Sequence, residues 1–188
     1  MRRMSDGGIP GERRFPALAL VNTRVQRSGV SEDLLADPTV IRDWLADRGL
    51  ISADARVDET EAAAVRAFRE SLRALLTARE SRRVPPPADL TALNAALTAP
   101  ALVWDGGGPR RVRRPVPDEV QGALADLAAN AVDLLSGEEA ASLASCSAHG
   151  CIRFFLRTHA ARQWCSNRCG DRVRAARHYA RRRSAAGS

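Results

Sequence analysis

The amino-acid sequence predicts a mainly α-helical domain containing a β-hairpin, followed by a small module in which a hairpin and a helix carry four cysteines. Three observations predict it. Apolar residues recur at helical spacing through most of residues 15–142. A glycine-rich turn between two short β-favouring runs interrupts that pattern near Gly106. All four cysteines, all three histidines and the strongest positive charge lie after residue 142.

Residues 1–14 contain Gly, Arg and Ser without an apolar period, and a flexible tail is expected there. From Phe15, the residues Leu18, Val21 and Val25 repeat at helical spacing with Leu20 beside them. They predict a helix to about Arg27 ended by Gly29, with a buried strand as the alternative for so short a run. Asp37-Pro38 is a helix start, an N-cap side chain followed by proline at the first helical position. Val40, Ile41, Trp44 and Leu45 then share a face, and Gly49 closes the helix.

Asp58 with Glu61 three residues on has the spacing of a capping box. Behind it, Ala62, Val65, Phe68, Leu72, Leu75 and Leu76 define the strongest helix, over about 58–81. Pro85-Pro86-Pro87 stops it, and a shorter helix carries Leu90, Leu93 and Leu97 up to Pro100. Leu102-Val103-Trp104, the turn Asp105-Gly106-Gly107-Gly108 and Arg111-Val112-Arg113 predict a β-hairpin over 101–114. The three glycines are not a phosphate loop, because Pro109 follows and neither Lys-Ser/Thr nor a helix does. Asp118 opens a helix through Val120, Leu124, Leu127, Ala131 and Leu134. Ser136 and Glu139 have capping-box spacing for a short helix into Leu143.

These elements divide the chain into a tail at 1–14, a helical domain at 15–142, a compact module at 143–183 and a tail at 184–188. Charge supports the division. Residues 1–142 hold 19 Arg and 21 acids, a net of −2. Residues 143–188 hold 10 Arg and the single acid Asp171, a net of +9. All 29 basic residues are Arg, so every cationic contact is a planar fork able to bind two oxygens at once. No stretch approaches the roughly 20 apolar residues of a membrane span. Nor does an apolar segment follow Met1-Arg2-Arg3, so no secretory signal and a cytoplasmic location are expected.

The cysteines are spaced Cys146-x4-Cys151-x13-Cys165-x3-Cys169. Each pair closes on a short knuckle, and four thiolates suit tetrahedral Zn²⁺. The intervening residues are long enough for a hairpin, out through Ile152–Leu156, around Thr158-His159-Ala160 and back through Gln163-Trp164. A helix from Cys169 to about Arg183 would complete a treble-clef-like arrangement. Four thiolates leave no open coordination position, so the zinc is expected to be structural. Trp164, Phe154 and Phe155 are expected to cluster around it. His149 is read as facing solvent, His159 as a turn residue and His178 as a helix-surface residue. With no Ser/His/Asp spacing and no histidine before His149, an enzyme is not expected.

On a helix over 166–183, Val173, Ala176 and Ala180 share a face that should pack on the zinc ribbon. Arg174, Arg177 and Arg181 cluster on another face; Arg168, Arg172 and Arg183 flank the apolar stripe on its far side, and Arg182 extends the basic end. So single-signed a surface points to nucleic acid.

Trp164-Cys165-Ser166 and Cys169-Gly170-Asp171-Arg172, with an Arg-rich helix behind them, resemble the CGNR zinc finger. Ala19-Leu20-Val21-Asn22-Thr23 and the Trp44-Leu45-Ala46 helix resemble the ABATE domain that precedes it. The resemblance spans about residues 15–183 and implies a stress-responsive bacterial transcription regulator. Three departures stand out. Asp171 replaces the Asn of the name motif, Arg157 replaces a commonly acidic residue, and the Cys165–Cys169 spacer is one residue short. The function expected is zinc-dependent, nucleoid-associated DNA binding. The N-terminal domain would sense a small-molecule effector, form a homodimer, or both. Asn22, Thr23 and Arg24 are candidate effector contacts because they interrupt an apolar segment; satisfying local backbone groups is the other reading. An RNA-binding or protein-interaction module is the alternative function.

Overall fold

The computed structural model describes residues 8–27, 29–105, 107–113, 116 and 118–186. In chain order the elements are α1 (Pro16–Val21), β1 (Arg24–Arg27), β2 (Val30–Asp33), α2 (Pro38–Ala46), α3 (Glu59–Glu80) and α4 (Pro87–Ala96). There follow β3 (Pro100–Asp105), β4 (Gly108–Arg113), α5 (Glu119–Ser136), a 3₁₀ turn (Glu138–Ser142), β5 (Leu143–Ser145), β6 (Phe154–Leu156) and α6 (Asn167–Ala186). The strands form three antiparallel two-stranded ribbons, β1–β2, β3–β4 and β5–β6. No helix among the described residues is long and apolar enough to cross a membrane.

Helix starts follow the local chemistry. Asp37 Oδ1 accepts from the Thr39 amide at 2.7 Å, and Asp118 from the Gln121 amide at 2.6 Å. Asp58 and Glu61 form both halves of the capping box, each bond 2.8 Å. The expected Ser136–Glu139 box does not form, because α5 runs on to Ser136, whose Oγ donates back to the Val132 carbonyl. A helix of 18 residues already holds Ser136 in its last turn.

The helix expected over 15–27 is corrected. It ends at Val21, and Asn22 and Thr23 turn the chain into β1, where Val25 is buried as a strand residue. Asn22 and Thr23 return their amides to Leu18 and Leu20, which closes the helix six residues before the expected end. The helical unit therefore carries a second hairpin, β1–β2, beside β3–β4.

The core lies where α1, α3 and α5 meet, with α2 and α4 against α3. Leu18, Leu20 and Val21 of α1, Leu72 and Leu76 of α3, and Leu127 and Leu134 of α5 are fully buried there. Residues 8–14, expected to be tail, are instead docked. The Pro10 carbonyl accepts from the Leu156 amide at 2.9 Å, and Ile9 packs beside the cysteines. Gly11 holds φ at +100° so close to its neighbours that a Cβ would lie 2.8 Å from Leu156 Cγ and 2.9 Å from Leu18 Cδ2. At the other end α6 runs to Ala186, into the expected C-terminal tail. The rest of both tails, 1–7 and 187–188, lies outside the described residues.

The ribbon in the cysteine module differs from the expected one. β6 pairs with β5, upstream of the first cysteine, with Leu143 opposite Leu156, Ala144 opposite Phe155 and Ser145 opposite Phe154. The return segment at Gln163 contributes one bond, accepting from the Ser147 amide at 3.0 Å. This register makes the ribbon a shared wall. Successive strand residues point to opposite faces. Leu143, Phe154 and Leu156 enter the helical core, while Ala144 and Phe155 face the cysteines. Phe155 and Trp164 thus surround the site as expected, and Phe154 does not.

Candidate metal centre and basic helix

The four cysteine sulfurs all lie within 4.8 Å of one another. Cys151 Sγ is 3.8 Å from Cys165 Sγ, which is 3.7 Å from Cys169 Sγ. Four ligands at about 2.3 Å from a tetrahedral Zn²⁺ stand about 3.8 Å apart, the separation found at the Cys151–Cys165 and Cys165–Cys169 edges. The donor set is soft thiolate only. Cys146, Cys165 and Cys169 are buried, and His149, His159 and His178 are exposed. Both donor chemistry and spacing fit a closed thiolate site for zinc.

Local structure explains how each sulfur arrives. Cys146 follows β5 directly, and its amide donates to the Arg153 carbonyl at 2.9 Å, extending the ribbon. The Cys151 amide donates to Ala148 at 2.9 Å and turns the first knuckle. Cys165 stands just before α6 and Cys169 in its first turn. Three intervening residues therefore place both sulfurs about one helical turn apart, on one side of the helix. Within the short spacer the Cys169 amide donates to Ser166 Oγ at 3.3 Å. A further bond runs from the Cys165 amide to Cys146 Sγ at 3.4 Å, of the kind that stabilises a thiolate. Bonds from Cys151 and Cys165 push the Cys146 thiol down, and the same contacts push Cys151 and Cys165 up.

Gly170 and Asp171 have clear places. A Cβ on Gly170 would lie 3.0 Å from the Trp164 ring and 3.1 Å from Arg174 Nη1, so the position requires a small residue. Asp171 Oδ1 accepts from Arg174 Nη2 at 2.6 Å, and the Arg174 guanidinium sits 5.7 Å from the Trp164 ring centroid. The residue in the Asn position of the motif thus pins Arg174 over the tryptophan.

The seven candidate arginines separate into three groups. Arg174 is pinned as described. Arg168 and Arg172 line a cleft beside the knuckle, with Arg172 Nη2 at 3.8 Å from Cys169 Sγ. Arg177, Arg181, Arg182 and Arg183 lie on the outer part of α6, where every residue from Arg174 to Arg183 is exposed. Ala176 and Ala180 are exposed with them, so only Val173 of the expected apolar face packs on the cysteine module. The outer helix projects from the body because nothing apolar beyond Val173 anchors it.

The polar atoms of Asn22, Thr23 and Arg24 are committed within the protein. Buried Asn22 pairs with the backbone of Phe154 like a neighbouring strand. Its Nδ2 donates to the Phe154 carbonyl and its Oδ1 accepts from the Phe154 amide, both at 2.8 Å. Nδ2 also reaches Glu12 at 2.8 Å. Thr23 Oγ1 donates to Leu20 and accepts from Arg69 Nη1. Arg24 pairs with Asp33 at 3.3 Å. Asn22 therefore satisfies backbone groups, but in a strand 132 residues away.

Two arginines of α3 escaped the sequence reading. Arg69 is only 1% exposed and grips Asp33 with both Nη atoms, at 2.5 and 2.6 Å. That grip holds the Asp33 carboxyl down at about 2. Arg73 donates to the carbonyls of Val21, Arg24 and Ile152, tying α3 to the knuckle. The signal was present: Ala62, Val65, Arg69, Leu72 and Leu76 alternate in steps of three and four, so Arg69 occupies an apolar-face position.

Comparison with known families agrees with this layout. The family model ABATE, described as "Putative stress-induced transcription regulator", matches residues 15–138. The CGNR zinc finger matches residues 143–182. No curated protein matches the chain.

Proposed function

The chain belongs to the ABATE family and carries a CGNR zinc finger, and from that premise we propose that it is a zinc-dependent, DNA-binding transcription regulator. The observation that carries the reading is the outer half of α6. It is a projecting helix with Arg177, Arg181, Arg182 and Arg183 exposed, and Asp171, the one acid of the module, is already paired with Arg174. A helix of this width enters the major groove of a duplex, where Arg forks contact phosphates and guanine edges. The zinc is structural: it holds the helix at an angle that a cluster of six buried residues, with only Phe155 large, could not hold alone. The closed thiolate set argues against metal catalysis. A stress-linked role follows from the family description, and nucleoid association from the proposed DNA binding.

Salt dependence of duplex binding tests the proposal. Affinity should fall with a log–log slope of about −0.9 per phosphate contacted. Arg177→Ala with Arg181→Ala should reduce the slope by about 1–2. A salt-independent affinity, or one matched by single-stranded RNA, would reject it. Selection from random duplexes with the zinc-loaded protein would then read the operator and its symmetry.

A further inference from the structure

A cleft of about 530 Å³ lies where the two halves of the chain meet. Its walls are β1, the first cysteine knuckle and the first turn of α6, contributing Gln26, Gly150, Arg153, Ser166, Arg168 and Arg172. The volume is that of a small-molecule site rather than a packing gap. Three guanidinium groups line it, and no acid does. None of the three makes an ion pair among the described residues. Arg153 Nε is buried without a hydrogen-bond partner. Arg73 Nε is likewise buried without a partner, so the site rests on the guanidinium groups that line the cleft rather than on this atom. Glu12, a carboxylate that feels the Arg153 charge, already accepts from Asn22 through its Oε1.

The start of α6 adds to the same field. This helix has 20 residues, and Ser166, Arg168 and Cys169 at its opening turn face the cleft. Its first amides and dipole favour an anion there. A zinc tetrathiolate carries a formal −2, against which the three arginines supply +3. The balance at the cleft mouth stays positive with the metal bound.

We infer that this cleft is a binding site for a small anionic ligand, one bearing a phosphate or carboxylate group, held by Arg153, Arg168 and Arg172. Guanidinium forks match both groups in pairs of bonds. The site touches both sides of the joint: Gln26 comes from the helical unit and the three arginines from the finger. Arg73 crosses behind it, from α3 to the Ile152 carbonyl. A bound anion would therefore brace β1 against the knuckle. The site is independent of whether α6 binds DNA.

Titration of the zinc-loaded full chain with inorganic phosphate, and separately with succinate, tests this by NMR at constant ionic strength. Saturable shifts are expected in the amides of 150–153 and 166–172 and in the Arg153 Nε–H signal. Gln26→Glu, which places a carboxylate in the cleft wall, should weaken binding at least tenfold. Arg168→Gln at an exposed position should weaken it several-fold, with the spectrum otherwise folded. No saturable shift, or shifts of equal size along 174–183, would overturn the inference in favour of diffuse attraction. Addition of a 20-base-pair duplex separates the sources: the phosphate signals should persist in the DNA complex. Displacement by the duplex would make the cleft a backbone seat for DNA and overturn the small-ligand reading. Failure of the duplex to bind at all would reject the proposed function and leave this inference standing.

Discussion

The helical unit and the cysteine module close their interiors by different physics. Among the described residues, the first builds one apolar cluster of 25, most of them Leu, Val, Ile or Phe, with Leu143, Phe154 and Leu156 lent by the second. The second buries six, of which three are cysteines, two are alanines and only Phe155 is large. Burying one Phe stabilises by about 2–3 kcal/mol, whereas ordering a residue costs about 1.5 kcal/mol. Some forty residues cannot be held on those terms, so the module needs the wall it borrows and a further constraint, which its cysteine cluster would supply by holding a metal. That wall is the β5–β6 ribbon, whose alternate residues serve both interiors. The lesson is that two regions distinct in charge and chemistry share one strand pair, and neither is complete without it.

The largest effect should come from metal removal, because structural zinc contributes about 10–16 kcal/mol in isolated fingers. Chelation should unfold residues 143–183. It should also lower the melting temperature of the helical unit, since Leu143, Phe154 and Leu156 leave its core. Circular dichroism at 222 nm with and without chelator measures both; an unchanged helical transition would break the shared-wall account. Next, Phe154→Ala and Phe155→Ala should each cost about 3–5 kcal/mol but differ in kind. The first should destabilise the helical unit with metal affinity nearly intact. The second should release zinc more readily to a competing chromophoric chelator.

Asn22→Ala should cost about 2–3 kcal/mol, because it orphans both backbone groups of Phe154 in a buried place. Chemical denaturation reads that loss, and hydrogen exchange of the Phe154 amide should accelerate with it. The smallest effect belongs to Asp33. Its folded-state pKa lies near 2, below the ordinary 3.8, so its stabilising contribution is complete above about pH 5 and disappears as pH falls through 2. The stability gap between the native chain and Asp33→Asn should therefore be present at pH 5, at least about 1–2 kcal/mol, and vanish near pH 2. A gap independent of pH would remove the Arg69 pair from the stability of the hairpin.

Local information carried far in this chain. Capping residues such as Asp37, Asp58 and Asp118 act on amides two or three positions away, so the helix starts were legible without the fold. The cysteine set was legible for the same reason: each pair is closed by its own short knuckle, and Cys165 and Cys169 lie about one helical turn apart. What spacing could not reveal was partnership at long range. Ile152–Leu156 has a candidate partner strand on either side in sequence. Only the closure of the helical core, which needs Phe154 and Leu156, selects Leu143–Ser145 over Gln163-Trp164.

Asn22 makes the same point in one side chain. Its sequence neighbourhood offers a polar interruption and nothing more; its role exists because β6 arrives 132 residues later with an unpaired edge. The cleft of Arg153, Arg168 and Arg172 likewise draws on three segments that meet only in three dimensions. The residues alone determined the fold class, the cysteine cluster and the charge of α6, because each rests on contacts within a turn or two of chain. The tertiary structure decided which strand pairs with which, where the polar joint falls and which arginines are free. Those are settled by competition among distant partners for a limited buried surface.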